Sequence, residues 1–360
     1  MLDSLYTIAT WGLIGVTFIL GIYFFSLSVP PKTSLKNYVI ARNVMACAYI
    51  SFGILTLIEY FFQSDDIDLD LFRFSALFIS LSQAFLFTYT LITLINVYFV
   101  TKKKIILEIT PIFFFLILGL ISFYNPQSIP INLLLNIFTL YYISLLIRYT
   151  YIFIKNYQNT IIQIDNFYAD HTIRLRWILI SFIAALSLGI MALLLALLYS
   201  FTRGIIFTIL SICFYTIFGI RFINYAFLFQ KVELLTEDYN YEPPISNTHY
   251  TQLQTNIQQW INKKQFTQPE INIKQVAKQL NTNRTYLSNY INTHERKTFR
   301  AWINNLRIEE AKKVMLEHPQ LPIHEICDLV GFSDKSNFGK QFAIYTGKPP
   351  KAWLKSQIKT

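Results

Sequence analysis

Seven stretches of nearly uninterrupted apolar residues occupy the first two thirds of the chain, and no other feature limits its fold so sharply. They run from Leu5 to Leu27, Val39 to Phe62, Leu71 to Phe99, Ile105 to Tyr124, Ile131 to Ile147, Trp177 to Tyr199 and Ile205 to Phe229. Most reach the ~20 residues that a helix needs to cross a ~30 Å hydrocarbon layer. Buried helices of a soluble bundle keep a polar stripe at 3.6-residue spacing, whereas runs such as IFFFLILGL and LLLALLYS have none. Composition excludes an ordinary soluble protein as well. Only 14% of the 360 residues are charged and 53% are hydrophobic, against about 25% charged in a typical soluble chain.

The loops orient these segments. Met1-Leu2-Asp3-Ser4-Leu5 lacks the basic start of a cleavable signal, so the first segment is expected to be a permanent span with its short acidic end outside. Counted that way, the inner connections hold twelve basic residues: Lys32, Lys36, Arg42, Lys102, Lys103, Lys104, Arg148, Lys155, Arg174, Arg176, Arg221 and Lys231. The outer connections hold two, Arg73 and Arg203, beside the acidic run Asp65 to Asp70. Cytoplasmic loops are enriched in Lys and Arg, so the count places the C-terminal part in the cytoplasm, on the inner side of a cell membrane. The inner loop from Lys155 to Arg176, with Asp165, Asp170 and His171, reads as a solvated connector.

Charge is unevenly divided. Residues 1–249 carry 14 Lys and Arg against 13 Asp and Glu, while residues 250–360 carry 17 against 8, giving net charges of +1 and +9. A surplus confined to the polar third suits a domain that meets a polyanion. The organisation expected is all-α: a seven-helix transmembrane bundle over 1–231, an acidic linker over 232–249 containing Pro243-Pro244, and a cytoplasmic helical domain over 250–360. Cys47, Cys213 and Cys327 form no pair and no metal-ligand spacing, and are expected to be buried thiols.

Within the C-terminal domain a first amphipathic helix, Tyr250 to Lys264, presents Leu253, Ile257, Trp260 and Ile261 on one face. Ile273 to Leu280, the turn Asn281-Thr282-Asn283 and a helix from Arg284 to about Thr293 have the dimensions of a helix-turn-helix. The pattern recurs as Ile323 to Val330, the turn Gly331 to Asp334, and Lys335 to Tyr345, joined to the first by a helix from about Thr298 to Glu317.

The run from Ile271 to Trp353 resembles the DNA-binding domain of the AraC/XylS family of transcription regulators. Tyr286-Leu287-Ser288, Leu306-Arg307 with Ala311, and the string PIHEICDLVGFSDKSNFGKQFAIYTGKPPKAW carry the resemblance. It departs from the family at Arg296, where a glycine is usual. If that position requires positive φ, arginine costs about 1 kcal/mol or more.

The second helix of each repeat is the one expected to enter the major groove. Helical spacing selects Thr285, Ser288, Asn289 and Asn292, with Arg284 beside them, as the exposed face of the first. In the second it selects Ser336, Gly339 and Lys340, with Lys335, Asn337 and Gln341 at the edges. Asn pairs bidentately with adenine, and Lys reaches guanine or phosphate. Arg307, Lys312 and Lys313 on the joining helix are further phosphate candidates.

Ionisable residues inside spans are costly and are functional candidates. Glu108 and Arg221 form one possible pair and Glu59 and Arg73 another, while Asn43, Asn96 and Asn136 are expected to bond between helices. No HExxH, GxSxG or Gly-rich phosphate loop occurs, so neither an enzyme nor a metal or cofactor is expected. The leading expectation is a membrane-anchored, DNA-binding regulator in which the spans sense an unidentified ligand or membrane partner. Its partners would be double-stranded DNA, the bilayer and a second copy of the chain. One alternative is a transporter or carrier bearing a regulatory DNA-binding domain, and another is proteolytic release of that domain by cleavage in Val232 to His249.

Overall fold

The computed structural model describes residues 2–28, 36–62, 69–96, 99–170, 175–198, 201–225 and 247–358. The regular elements there are fourteen α-helices, a short 3-10 turn and a π turn, and the only extended pairing among those residues is an isolated bridge between Tyr168 and Asn272. Two compact units result: Met1–Gln158 with Leu175–Thr236, and Asn159–Arg174 with Glu237–Thr360. The second therefore takes in the inner loop that the sequence assigned to a solvated connector. The expected acidic linker lies, up to Ser246, outside the described residues.

The first unit contains α1 (Leu2–Ser26), α2 (Lys36–Phe62), α3 (Leu69–Ile95), α4 (Lys102–Tyr124), α5 (Ile131–Phe167), α6 (Arg176–Leu197) and α7 (Phe201–Asn224), although the last turns of α5 belong to the second unit. All seven are long and apolar enough to cross a membrane. Their exteriors are apolar too: Ile8, Ile19, Ile106, Leu120, Leu140 and Ile147 are each more than 60% exposed. An apolar exterior of this kind suits a nonaqueous solvent. Helix α5 departs from expectation, because it continues some twenty residues beyond Ile147. Its 37 residues rise roughly 55 Å at 1.5 Å each, nearly twice the thickness to be crossed.

Lipid supplies no hydrophobic force between helices, so packing and hydrogen bonds must hold such a bundle together. Helix α3 packs against α2, α4 and α6 and is the most buried of the seven. Gly119 of α4 lets it approach Phe74 of α3, where an added Cβ would lie 2.2 Å from the ring. Phe115 stacks on Phe138 at 4.2 Å between centroids, and Phe153 on Phe182 at 3.9 Å. Tyr49 donates to the Tyr215 carbonyl at 2.6 Å and Tyr38 to that of Phe222 at 3.1 Å.

The intramembrane charges pair differently from the sequence reading. Glu108 is buried and accepts from Arg148, from Tyr149 at 2.7 Å and from Tyr89 at 3.0 Å, so α3, α4 and α5 meet on one carboxylate. Arg221 is exposed and is not its partner. Glu59 accepts instead from Ser75 at 3.1 Å, while Arg73 faces Asp70 at 3.8 Å on its own helix. Of the three asparagines only Asn96 bonds between helical segments, donating to Asn156 at 2.8 Å; Asn43 accepts from adjacent Arg42, and Asn136 is exposed. Cys327 is buried, but Cys47 and Cys213 are exposed on the bundle exterior, where a thiol meets lipid as a small apolar group.

Replacing Glu108 by Leu removes the acceptor of two tyrosine hydroxyls, each worth about 1–3 kcal/mol when orphaned in a buried site. The thermal midpoint of the purified protein in detergent should fall by several degrees. Arg221→Leu, on the exposed face, should leave it unchanged.

Candidate nucleic-acid interface

The second unit continues with α8 (Asn247–Asn262), α9 (Ile273–Gln279), α10 (Arg284–Tyr290), α11 (Phe299–Glu317), α12 (Ile323–Leu329), α13 (Lys335–Thr346) and α14 (Pro350–Ile358). Helices α9 and α10 form one helix-turn-helix and α12 and α13 another, with α11 between them. Three of these helices of the repeats begin at a capped end: Asn272 and Gln275 form a reciprocal capping box on α9, and the side chains of Asn283 and Asp334 cap α10 and α13.

The two turns share one hydrogen-bond scheme. Leu280 N donates to Val276 O at 3.0 Å, and Thr282 N to Ala277 O at 2.9 Å. Fifty residues later Val330 N donates to Ile326 O at 3.1 Å and Phe332 N to Cys327 O at 3.0 Å. The reversal is made by a left-handed residue in each, Asn281 at φ 53° and Gly331 at φ 85°. Glycine is required at the second for an additional reason: a Cβ there would lie 2.1 Å from the Thr267 carbonyl oxygen. Burial of Leu287 and Ile291, and of Phe338 and Phe342, fixes which faces of α10 and α13 turn inward. Around the second repeat these phenylalanines pack with Ile308, Ala311, Met315, Ile326 and Val330. Burial also pushes the Cys327 thiol up to about 11, which leaves it a packing group.

On the opposite face of α13, Lys335, Ser336 and Lys340 are exposed and Asn337 and Gln341 half-buried. Gly339 lies between them with open space where a side chain would project. On α10, Asn289 is exposed and Thr285 and Ser288 half-buried; Asn292, exposed in the π turn that follows, donates to Ser288 Oγ at 3.4 Å. That turn ends at Arg296, whose φ of 51° is the strained conformation anticipated from the missing glycine.

Residues 276–356 match the family model described as Helix-turn-helix domain. They form an AraC-type helix-turn-helix domain. Similar curated proteins are the Msm operon regulatory protein of Streptococcus mutans, 34% identical over 85 residues, and the raffinose operon transcriptional regulatory protein RafR of Pediococcus pentosaceus, 32% identical over 77 residues. The matched segments are 24% and 21% of this chain and span only 30% and 27% of those relatives. No solved structure matches the chain.

One predicted phosphate contact is corrected. Arg307 is fully buried in the AraC-type domain, where Nε donates to Phe266 O at 2.9 Å, Nη2 to Gln268 O at 2.7 Å and Nη1 to Asp170 at 3.1 Å. Its guanidinium also lies 5.5 Å from the Phe332 ring centre. Burial draws its pKa down, and the Asp170 carboxylate opposes that shift. Two turns earlier on the same face of α11, Arg300 pairs with Asp165. Asp170 also accepts from Glu270 N at 3.0 Å, and Ala169 N donates to Ile271 O at 3.2 Å. Phe167 packs its ring 4.9 Å from the Arg284 guanidinium at the start of α10.

Thus the segment 165–170 forms a clasp on the AraC-type domain. Its signal in the sequence was the pair Arg300 and Arg307 at heptad spacing, which puts two cations on one inward stripe of α11.

Removing one partner of a buried ion pair costs about 3–5 kcal/mol. Asp170→Ala should therefore speed amide exchange throughout α11, measured by mass spectrometry, far more than Asp165→Ala, whose carboxylate is 31% exposed. If Arg307 served DNA rather than the fold, Asp170→Ala would leave exchange unchanged. Arg296→Gly should stabilise the AraC-type domain by about 1 kcal/mol, and Gly331→Ala should unfold it, both read from thermal transitions.

Proposed function

We propose that the chain is a membrane-anchored transcription regulator: its AraC-type domain binds specific double-stranded DNA in the cytoplasm, and its spans sense a signal that controls that binding. The tandem helix-turn-helix carries the DNA part of this reading. Each repeat offers a helix with an inward apolar face and an outward face of Asn, Ser and Lys, chemistry suited to base edges and phosphates. Arg284, Thr285, Ser288, Asn289 and Asn292 would serve the first repeat, and Lys335, Ser336, Asn337, Lys340 and Gln341 the second. The net charge of +9 over residues 250–360 would add sequence-independent attraction.

The clasp supports the control. Asp165 and Phe167 end α5, a helix that begins among the apolar segments, and Asp170 follows three residues later. A displacement of that helix would change the pairing of Arg300 and Arg307 and the stacking of Arg284, one of the proposed DNA contacts. Sensor and reader would then be one molecule, with the basic loops keeping the reader inside the cell.

Mapping chromosomal sites bound by the full-length protein should yield a small set of discrete operators; uniform background binding would overturn the reading. Gly339→Leu provides a sharper test, because the position opens to solvent and leucine favours a helix by nearly 1 kcal/mol over glycine. The variant should fold at least as well as the parent yet lose operator binding by a factor of ten or more.

A further inference from the structure

Between α1, α2, α3, α5, α6 and α7 of the first unit lies a chamber of two adjoining parts, which share Phe52, Ile79, Ser80, Ala192 and Phe207 in their walls. The inner part is almost wholly apolar, and its polar groups are largely satisfied: Tyr215 donates to Gln83 at 3.1 Å, Gln83 to the Ala48 carbonyl at 3.1 Å, and Tyr142 to the Gly189 carbonyl at 3.3 Å. The other part differs. Thr10 in its wall is only 4% exposed, and its hydroxyl has no hydrogen-bond partner.

Only Thr139, outside this cavity, has a buried hydroxyl with the same lack among the described threonines of the bundle. Thr90, Thr93, Thr150 and Thr208 each donate to the carbonyl four residues back, as threonines in apolar helices ordinarily do. In the same wall stands Glu59. Among the described residues its carboxylate accepts one hydrogen bond, from Ser75, and no cation pairs with it. A carboxylate and an unfilled hydroxyl therefore share a cavity with Phe52, Phe72, Tyr60 and Phe207. Buried polar atoms such as the Thr10 hydroxyl are rarely left unsatisfied, and the half-buried carboxylate of Glu59, set among apolar walls, favours a positive partner. Aromatic faces add attraction for a cation.

We propose that this chamber is a binding site for a small hydrophobic primary amine. The ammonium group lies against Glu59 and donates to Thr10, and the alkyl or aryl body extends past Phe52 and Ile79 into the apolar part. Three donors on one ammonium match a carboxylate, a hydroxyl and an aromatic face together, whereas an alcohol of equal length leaves the carboxylate without its counter-charge. The inference deepens the sensing half of the function proposed above by naming the class of molecule sensed. Its test needs no DNA, so either can fail alone.

Full-length protein in nanodiscs of zwitterionic lipid would be titrated calorimetrically with hexylamine and with hexan-1-ol, subtracting empty nanodiscs. Saturable binding of hexylamine at about one molecule per chain is expected, with hexan-1-ol at least tenfold weaker. Glu59→Gln should remove most of that preference, and Thr10→Val should weaken the amine several-fold. Equal affinities for amine and alcohol, an unaltered amine affinity in Glu59→Gln, or no saturable binding would each overturn the proposal. Should Glu59→Gln not fold, Thr10→Val carries the same decision, because valine is isosteric and removes only the hydroxyl.

Discussion

The second unit depends on a guanidinium that has no access to water. Arg307 sits in the middle of α11 with its side chain fully enclosed, and such a charge is stable only where acceptors surround it and an anion balances it. Two carbonyls come from the segment before the first repeat, the carboxylate from beyond the end of α5, and an aromatic face from the turn of the second repeat. Three stretches distant in sequence are thereby held to one side chain. Apolar packing could fill the same volume, but it would not demand a particular partner from residue 170.

The bundle solves a related problem with the same chemistry. Among the apolar helices, Glu108 gathers Tyr89, Arg148 and Tyr149 from two neighbours, so a carboxylate costly in hydrocarbon becomes the point at which three helices are joined. Around it aromatic stacking and close approach at glycine do what hydrophobic exclusion does in water. Both units thus place a buried charge where several elements converge.

Much of this was legible from the residues alone. Apolar length located all seven long helices, and the turns Asn281-Thr282-Asn283 and Gly331 to Asp334 placed the starts of the four short helices of the repeats, although the one from Arg284 closes in a π turn at Tyr290 rather than running as α-helix to about Thr293. Periodicity likewise separated Leu287, Ile291, Phe338 and Phe342 from the outward faces of α10 and α13. What escaped was pairing across distance. Nothing local in Asp165 and Asp170 distinguishes a docked loop from a solvated one, because the deciding residues lie some 135 positions away. The true partner of Glu108 was missed for a kindred reason: Arg148 had been counted as a loop cation, since the polar residues after Ile147 disguised a helix that in fact continues to Phe167.

The two turns, so alike in hydrogen bonding, differ by a single residue: four positions separate Gln279 from Arg284, and five separate Leu329 from Lys335. The helices they lead into also differ, one of seven residues closing in a π turn and the other of twelve. On the proposed DNA-binding function, two such unequal helices in tandem have no twofold axis. A site fitted to them has a head and a tail, so inverting it beside a gene would present each helix with the wrong bases, and a lone protomer would already know in which direction along the duplex it points.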